Sequence, residues 1–376
     1  MTTMLTSKER LRRQALGQEI DRVPAIGGWM LSVPNLAAIG GTSTDEYFKN
    51  PLQGVVRANL ALGADGMVTM PIIPNALDQV RAGSVSEENF HDIEPEALPE
   101  EAARLPDDEA EILRDFDPAR ERQRLVDIFT KARAEWGGLE PVPNFWDLGG
   151  PFPLYHRFGY VAFLSACALY PAAVGKIWRV RSLVARERAK LLAPLYAELD
   201  LVPLLFCGED LCNNQGPLVS PALLRERYFP LVAEILAPLL AAGVRVIHHC
   251  DGDVRPLVDD FFALGFSGLQ GFQYELGLEL PELRQKTTRA GTPLFFTGLS
   301  VTRTLPFGTA DEVRREVDYF FDATDGGRGM FLFTSNVTGV EVPWQNIVAG
   351  YRHVKTLPPG RPRAVPITRW PVVSEV

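Results

Sequence analysis

Short apolar runs alternate with longer helical stretches along the chain, and this alternation restricts the folds that it can adopt. The runs are rich in Val, Ile, Leu and Phe and lack regular polar alternation, as strands buried on both faces do. They lie at residues 23–27, 66–69, 142–146, 201–208, 244–249, 268–272, 294–297 and 330–333. Eight such strands with helices between them predict an α/β fold, a closed (β/α)8 barrel of the TIM type. An open doubly wound sheet is the alternative, but no G-x-G-x-x-G motif follows the first run.

The predicted barrel uses residues 1–376 as a single domain, because barrels of this length are commonly undivided. A hydrophobic content of 46% is ample for a large core. Residues 74–139 are longer than a simple crossover requires, are rich in acidic side chains and contain helical patterns. We therefore expect them to form an acidic helical cap insertion over one end of the barrel.

The formal net charge of −9 argues against nucleic acid as a partner, since proteins that bind phosphate backbones usually present a basic face. The four cysteines form no C-x-x-C pair, so a disulfide framework is not expected. The first helix begins with a capping box of Thr6 and Glu9 and lacks the apolar core of a signal peptide. No apolar run reaches ~18 residues, so we expect no membrane span and a cytoplasmic location.

Two later helices carry clear start and stop signals. Residues 220–243 begin with a Ser-Pro pair and end at a glycine. Pro230 lies inside this stretch and lacks an amide hydrogen, which predicts a kink or break near Tyr228. Thr309 and Glu312 form a second capping box, which predicts where another helix begins.

Polar and aromatic residues follow most of the predicted strands. In a barrel of this kind, catalytic groups lie at the C-terminal ends of the strands. These positions hold Trp29, Thr69, Trp146, Asp147, Glu209, Asp210, His249, Asp251, Gln273, Glu275, Ser300, Ser335 and Asn336.

The densest of these segments is "VRVIHHCDGDVRPL", residues 244–257. Because side chains alternate along a strand, His249 and Asp251 point to one side, and His248 and Cys250 to the other. The first pair suits a metal ion, or a general acid beside an orienting carboxylate. Alternatively, Asp251 caps the following helix and the histidines only pack.

Two further segments are candidates. In "FCGEDLCNNQGPL" the carboxylate of Glu209 or Asp210 is a possible ligand or proton acceptor, or part of an ordinary polar loop. "NFWDLGGPFPLYHRFGY" brings together Trp146, Phe152, Tyr155 and His156 beside a Gly-Gly turn. Aromatic side chains at a barrel mouth suit an apolar substrate, although packing beneath the cap explains them equally well.

Four stretches together resemble the uroporphyrinogen decarboxylase superfamily, which includes the corrinoid and thiol methyltransferases. They are "DRVPAIGGW", "CGEDLCNNQGPLVSPALLRERYFP", "VIHHCDGDVRPLVDDFFALGFSGLQGFQ" and "TGLSVTRTLPFGTADEVRREV". The resemblance extends from about residue 6 to about residue 356 and is weakest in the acidic cap. It implies a (β/α)8 barrel with its site in the mouth, in the corrinoid-dependent methyltransferase-like branch.

The resemblance also shows where this chain departs from its relatives. Uroporphyrinogen decarboxylases carry two arginines after the first strand and a catalytic aspartate after the second. This chain has "GGWMLSVPNL" and "MVTMPIIPN" there, with neither feature. A substrate with several carboxylates needs cationic partners, so decarboxylation of uroporphyrinogen is not expected.

Zinc methyltransferases of the superfamily use a His-x-Cys pair on strand five and a late cysteine. Alignment without a gap places His249 on the histidine and Asp251 on the first cysteine, while Asn336 falls near the second. A slip of one residue would offer His248 and Cys250 instead. The ungapped register implies oxygen and nitrogen ligands in place of thiolates. A divalent metal, most readily zinc, would bind Glu209, His249 and Asp251, with Glu275 or Asn336 in reserve.

These features favour a methyltransferase that moves a methyl group from a small donor to the corrinoid of a partner protein. The predicted catalytic residues are His249, Asp251 and Glu209. A methoxylated aromatic is one possible donor, and its reaction would be an O-demethylation. One alternative is a decarboxylase or lyase that acts on a small carboxylic acid, or an activity related to uroporphyrinogen decarboxylation. Another is a barrel that binds a ligand without catalysis. The predicted substrate-binding residues are Trp29, Trp146, Phe152, Tyr155, His156, Gln273 and Asn336.

Overall fold

The computed structural model describes residues 4–74, 93–150, 154–208, 210–271, 273–361 and 363–367. Short strands, most of them fully buried, recur along these ranges. In chain order they are β1 Gly66–Val68, β2 Glu140–Val142, β3 Leu204–Gly208, β4 Cys212–Asn213, β5 Gly216–Pro217, β6 Arg245–His249, β7 Gly268–Gln270, β8 Leu294–Leu299 and β9 Met330–Thr334.

The longer strands are joined side by side in one direction. Strands β3, β6, β7, β8 and β9 form a parallel sheet in that order, and β1 pairs with β2 in parallel. Isolated parallel bridges join these two groups to each other and to the first apolar run: Ala25 with Leu332, Ile26 with Gly66, and Asn144 with Phe206. This is an α/β fold with a central parallel sheet, compatible with a TIM-type barrel. The remaining strands, β4 and β5, form an antiparallel hairpin after β3.

Helices follow or precede each of these strands. In chain order they are α1 Ser7–Ala15, α2 Val33–Gly40, α3 Thr44–Lys49, α4 Pro51–Leu62, α5 Ala97–Arg104, α6 Glu109–Ile112, α7 Pro118–Glu135, α8 Tyr155–Phe158, α9 Tyr160–Leu169, α10 Pro171–Glu198, α11 Pro221–Leu223, α12 Phe229–Ala241, α13 Val258–Leu264, α14 Leu280–Gln285, α15 Thr304–Phe307, α16 Ala310–Ala323 and α17 Trp344–His353. The capping box of Thr309 and Glu312 at the start of α16 is present as predicted.

The predicted break before Pro230 takes the form of a single wide turn. Residues Leu224–Tyr228 are π-helical and connect α11 to α12. A proline has no amide hydrogen to donate to the carbonyl four residues earlier, so the regular helical ladder is interrupted there. The prediction of an interruption near Tyr228 is confirmed.

Side chains on the strands alternate between two hydrophobic clusters. Phe206, Ile247, Phe296 and Phe333 meet on the inner side of the strands, together with Val68 and Val142 from β1 and β2. Their neighbours along the strands, such as Val246 and Phe295, face the surrounding helices. This alternation determines which residues at the ends of the strands point inward.

A buried ionic network ties the start of the chain to β1. The Asp65 side chain is fully buried and accepts hydrogen bonds from Arg10, from Arg22 at 2.8 Å and from the Ala25 amide at 3.0 Å. Arg10 is 3% exposed and also donates to Asp21 at 2.6 Å and 2.8 Å. The network therefore holds α1 and the first apolar run against β1.

The structure corrects two strand predictions. Residues 23–27 form isolated bridges at Ala25 and Ile26 in place of a strand. Residues 142–146 were expected to form a strand that ends at Trp146, but β2 ends at Val142 and Phe145–Asp147 form a 3-10 turn. The Asn144 side chain accepts a hydrogen bond from the Trp146 amide at 2.8 Å, which caps this turn in place of strand pairing. Trp146 consequently lies on a turn and is 37% exposed.

The predicted cap is helical where it is described. Helices α5 and α7 lie within residues 74–139 and both contact α10, with Leu98, Leu125 and Phe129 buried. Residues 75–92 lie outside the described residues. Its assignment as a cap over the barrel mouth stays a prediction.

Among the described helices, none is both long enough and apolar enough to cross a membrane alone. Only α9 and α10 taken together satisfy those two criteria, and they are bent by 112° where they join.

Candidate active site

Three side chains with metal-binding atoms converge at the carboxyl ends of β3 and β6. They are Asp210, His249 and Asp251, and their ligand atoms lie within 4.8 Å of one another. His249 Nε2 is 3.5 Å from Asp210 Oδ1 and 3.9 Å from Asp251 Oδ1. The Asp251 amide donates to Asp210 Oδ1 at 3.0 Å, which joins the loops after the two strands.

The His249 ring is held in one orientation by the buried side chain of Gln270, the last residue of β7. The Gln270 amide nitrogen donates to the carbonyl oxygens of Thr334 at 2.8 Å and Ser335 at 2.7 Å. Because carbonyls only accept, the Gln270 oxygen must point the other way, toward His249 Nδ1 at 2.5 Å. His249 Nδ1 therefore donates to Gln270, and Nε2 is directed toward the two carboxylates.

This donor set suits a cation. A neutral Nε2 lone pair and two carboxylates repel one another unless a proton or a metal ion lies between them. Two ligands at about 2.1 Å from a tetrahedral zinc ion lie roughly 3.4 Å apart, close to the 3.5 Å between His249 and Asp210. The hydrogen bond from His249 to Gln270 is the outer-shell contact that metal-bound histidines usually make.

The neighbours of Asp251 fix the orientation of its carboxylate and shift its pKa. The Asn336 amide donates to Asp251 Oδ2, so Oδ1 remains directed toward His249. Burial raises the pKa of Asp251 to about 6, and the Asp210 carboxylate adds to the rise, while His249 and Asn336 oppose it. The charged carboxylate is thus costly here without a bound cation.

Gly271 has to be a glycine for His249 to keep this position. Its φ is +76°, and a Cβ added there would lie 2.2 Å from His249 Nδ1 and 3.2 Å from Asp251 Oδ1. We expect Gly271→Ala to displace the ring from Gln270 and to weaken zinc binding by about 10–100-fold, the usual effect of losing an outer-shell partner. Isothermal titration with Zn²⁺ measures this.

Gly291→Ala is the matched control, because Gly291 also has a positive φ of +101° but nothing lies within 4 Å of an added Cβ. Both variants carry the backbone strain of a side chain at positive φ. Equal zinc affinities in the two variants would contradict a role for the His249 position.

Gln273 and Glu275, after β7, do not join the group of three. Gln273 Oε1 accepts from the Gly252 amide at 2.9 Å and so supports the loop that carries Asp251. Glu275 accepts from the Ser300 hydroxyl and from the Thr302 hydroxyl at 3.2 Å. Gln273, predicted to bind substrate, thus has a structural contact, and Glu275 is engaged with the loop after β8.

His248 and Cys250 lie on the opposite side of β6. His248 packs against Phe261 and Phe266, at 4.2 Å and 4.6 Å between ring centroids, and burial lowers its pKa to about 3. Neither ring nitrogen has a hydrogen-bond partner among the described residues. Cys250 Sγ accepts from the Leu211 amide at 3.3 Å, and burial raises the pKa of its thiol. This geometry favours the ungapped alignment, with His249 facing inward.

Trp29 forms one wall beside His249. Its indole meets the His249 ring edge-on, with 5.9 Å between centroids, and makes similar contacts with Phe206 and Phe333. Its backbone is fixed because Thr338 donates to the Trp29 carbonyl from both its amide and its hydroxyl. Trp29 therefore presents a half-buried aromatic surface next to the imidazole.

The predicted aromatic cluster is only partly described. Tyr155 is buried and stacks on Tyr160 with 4.4 Å between ring centroids. Tyr160 is 42% exposed. Burial raises its pKa, and the Asp210 charge adds to the rise. Phe152 and Glu209 lie outside the described residues, as does the side chain of His156.

A buried acid lies beneath the loop after β8. Glu316, on α16, is fully buried and accepts from the Tyr274 hydroxyl and from the Ser300 amide at 3.0 Å. Burial raises the pKa of Glu316 from 4.5 to about 8, and nearby Glu275 adds to the rise. The side chain is therefore protonated at neutral pH.

Glu316 makes stability depend on pH. Between about pH 4.5 and 8 the unfolded chain loses the Glu316 proton while the folded protein keeps it, so the free energy of unfolding falls as pH rises. Glu316→Gln should lack this contribution, which has a slope of up to about 1.4 kcal/mol per pH unit. Urea unfolding across that range tests it. Glu226→Gln, at an exposed glutamate, is the control and should show the same pH dependence of unfolding as the parent protein. If the free energy of unfolding of Glu316→Gln changes with pH in parallel with that of the parent protein, the prediction is refuted.

Comparisons with known proteins establish the fold. No protein-family model matches the chain, and no curated protein matches it. Among solved structures, the chain is similar to a methyltransferase from Methanosarcina mazei, with a TM-score of 0.59 and 17% sequence identity. The match covers 94% of this chain and 99% of that protein. The chain therefore has the fold of that methyltransferase over nearly its whole length.

Proposed function

We propose that this protein is a methyltransferase of the uroporphyrinogen decarboxylase superfamily, built on a closed (β/α)8 barrel with residues 74–139 as its cap. The observation that carries the proposal is the convergence of His249 Nε2 with the carboxylates of Asp210 and Asp251 at the carboxyl ends of the strands. The fold shared with the Methanosarcina mazei methyltransferase supports it. The bridges from Ala25 to Leu332 and from Asn144 to Phe206 support the closed barrel.

Asp210, His249 and Asp251 would hold a divalent metal ion, most readily zinc. A hard set of two carboxylates and one imidazole leaves room for a further ligand, and such a site supplies Lewis acidity toward an oxygen of the substrate. Glu209 stays a candidate ligand next to Asp210. Asn336 fixes the Asp251 carboxylate, and Gln270 fixes the His249 ring.

The side chains of this protein would bind and orient a small methyl donor. Trp29 offers an apolar face beside His249, and Tyr160 a partly exposed ring near Asp210, which suits a donor such as a methoxylated aromatic. The corrinoid of a partner protein would supply the methyl acceptor, and the bonding electrons of the broken C–O bond would remain on the donor oxygen. The charge that develops on that oxygen would be stabilised by the metal ion that Asp210, His249 and Asp251 would hold.

Exposed apolar side chains at the same end of the strands support docking of a partner. Met70 follows β1, Trp146 follows β2, Phe307 follows β8 and Val340 follows β9. Phe307 is 83% exposed, and Met70 and Val340 are each about half exposed. A partner protein that docks at this end of the strands would cover these apolar groups.

The decisive experiment is methyl transfer from methoxylated aromatic donors to reduced free cobalamin by zinc-loaded protein without oxygen. Loss of the reduced-corrinoid absorbance should accompany formation of the demethylated donor, measured by mass spectrometry. His249→Ala should abolish both signals, and uroporphyrinogen should give no decarboxylated product. An absence of transfer from every donor tested, with fully loaded protein, would overturn the proposal.

A lyase acting on a small carboxylic acid is the second candidate. The raised pKa of Asp251 beside His249 favours it, because an acid that titrates near neutral pH can exchange protons during decarboxylation. Carbon dioxide release from small acids by metal-free protein would identify this reaction. Methyl transfer that requires metal would exclude it as the main activity.

A further inference from the structure

A large cavity lies at the opposite edge of the strands from His249. It has a volume of about 1180 Å³, and its lining includes Arg245, the first residue of β6, Ser267, just before β7, and Arg328, just before β9. Because the strands are parallel, these residues mark the amino-terminal edge. Arg245 precedes His249 by four positions, roughly 13 Å along the strand.

Three cations that line this cavity are unpaired. The side chains of Arg245, Arg328 and Arg361 form no ion pair or hydrogen bond with any described residue, whereas many other arginines of the chain are paired. Two acidic residues, Glu19 and Asp21, also line the cavity. The Asp21 carboxylate is already paired with Arg10, so its charge is compensated. In a chain of net charge −9, an excess of free guanidinium groups in one cavity is a local reversal of charge.

A buried hydroxyl in the lining also lacks a partner. Ser267 is 1% exposed, and its Oγ has no hydrogen-bond partner among the described residues. Its backbone is committed to the sheet, because its amide donates to Val246 and its carbonyl accepts from Leu294. A buried hydroxyl without a partner costs free energy, which a ligand oxygen in the cavity would recover.

The backbone brings two of the cations together. Arg328 lies in a turn of three glycines with positive φ, at Gly326, Gly327 and Gly329. The Gly360 amide donates to the Gly326 carbonyl at 2.8 Å, so the segment that carries Arg361 is fastened to this turn. The position of the guanidinium groups thus depends on tertiary structure and not on a single flexible loop.

We propose that this cavity binds a small polyanion of the diphosphate or triphosphate class, at a site separate from the proposed active site. Guanidinium groups bind phosphate oxygens through paired, charge-assisted hydrogen bonds. Three guanidinium groups on separate segments match a ligand with several anionic oxygens better than they match a ligand with a single carboxylate. A cavity of this size also accommodates a nucleoside attached to such a group.

The test is isothermal titration of the full-length protein with inorganic pyrophosphate at about 0.15 M salt, where weak surface attraction is screened. We expect saturable binding of one equivalent, and loss of roughly tenfold or more in affinity for Arg245→Gln combined with Arg328→Gln. Ser267→Ala should lower the affinity by a smaller factor, since it removes a neutral hydrogen bond.

Arg57→Gln is the matched control, because Arg57 is exposed and lies outside the cavity lining. It should bind pyrophosphate like the parent protein. The absence of saturable binding to the parent protein, or equal affinity in the double variant, would overturn the proposal. Zinc titration of the double variant should be unchanged, which separates this site from the proposed active site.

Discussion

His249→Ala is expected to lower the affinity for zinc by at least about a hundredfold, because it removes a ligand, and even the loss of an outer-shell partner costs 10–100-fold. His249 is the nitrogen donor of the group, and its Nε2 faces both carboxylates. His248→Ala should leave zinc affinity intact and lower the free energy of unfolding, since His248 packs between Phe261 and Phe266. Zinc titration and urea unfolding of both variants measure these effects.

Cys250→Ser tests whether sulfur takes part. Serine can retain both contacts of Cys250, to the Leu211 amide and to the Asp251 carbonyl, so zinc affinity should be unchanged. X-ray absorption of the zinc-loaded protein should show only oxygen and nitrogen neighbours. A sulfur shell at about 2.3 Å, or loss of zinc from Cys250→Ser with retention in His249→Ala, would establish the shifted alignment instead.

Asp65→Ala is expected to lower the free energy of unfolding by about 3–5 kcal/mol, the usual cost of breaking a buried ion pair from one side. The change would leave Arg10, which is 3% exposed, and Arg22 without the carboxylate between them. It would also remove the acceptor of the Ala25 amide. Urea unfolding measures the difference, and failure to obtain folded protein agrees with the expectation.

Asp200→Ala is the control for this prediction. Asp200 also pairs with two cations of α1, Lys8 and Arg12, but its side chain is 61% exposed. Pairs of that kind contribute about 0–1 kcal/mol. A loss for Asp65→Ala no larger than that for Asp200→Ala would show that the buried network does not stabilise the fold.

The central strands could be predicted from the sequence, because strands buried on both faces are apolar throughout. β6 and β9 begin and end within about one residue of their predicted bounds. The position of Trp146 could not be predicted from hydrophobicity. The Trp146 amide donates a hydrogen bond to the Asn144 side chain at the turn there. The aromatic residues around it have the same apolar pattern in a strand or a turn.

The site was predicted in part. Alternation along β6 correctly separates His249 from His248, but adjacent carboxylates in a loop have no such periodicity. The sequence therefore does not decide between Glu209 and Asp210; the structure places Asp210 beside His249, and Glu209 lies outside the described residues. The role of Gln270 was not predicted, because the residues that it contacts, at the end of β9 and just after it, are more than 60 residues away in the sequence. A buried amide in an apolar strand is nevertheless a signal that could have indicated it.

The first apolar run has its neighbours at opposite ends of the chain. Ile26 pairs with Gly66 on one side, while Ala25 pairs with Leu332 on the other, and the Tyr351 hydroxyl donates to the Ile26 carbonyl across 325 residues. At synthesis rates of about 5–20 residues per second, roughly 15–60 s separate the two sides. During that interval one edge of the run is open, so the pairing of Ala25 with Leu332 is a late step of folding with a high contact order.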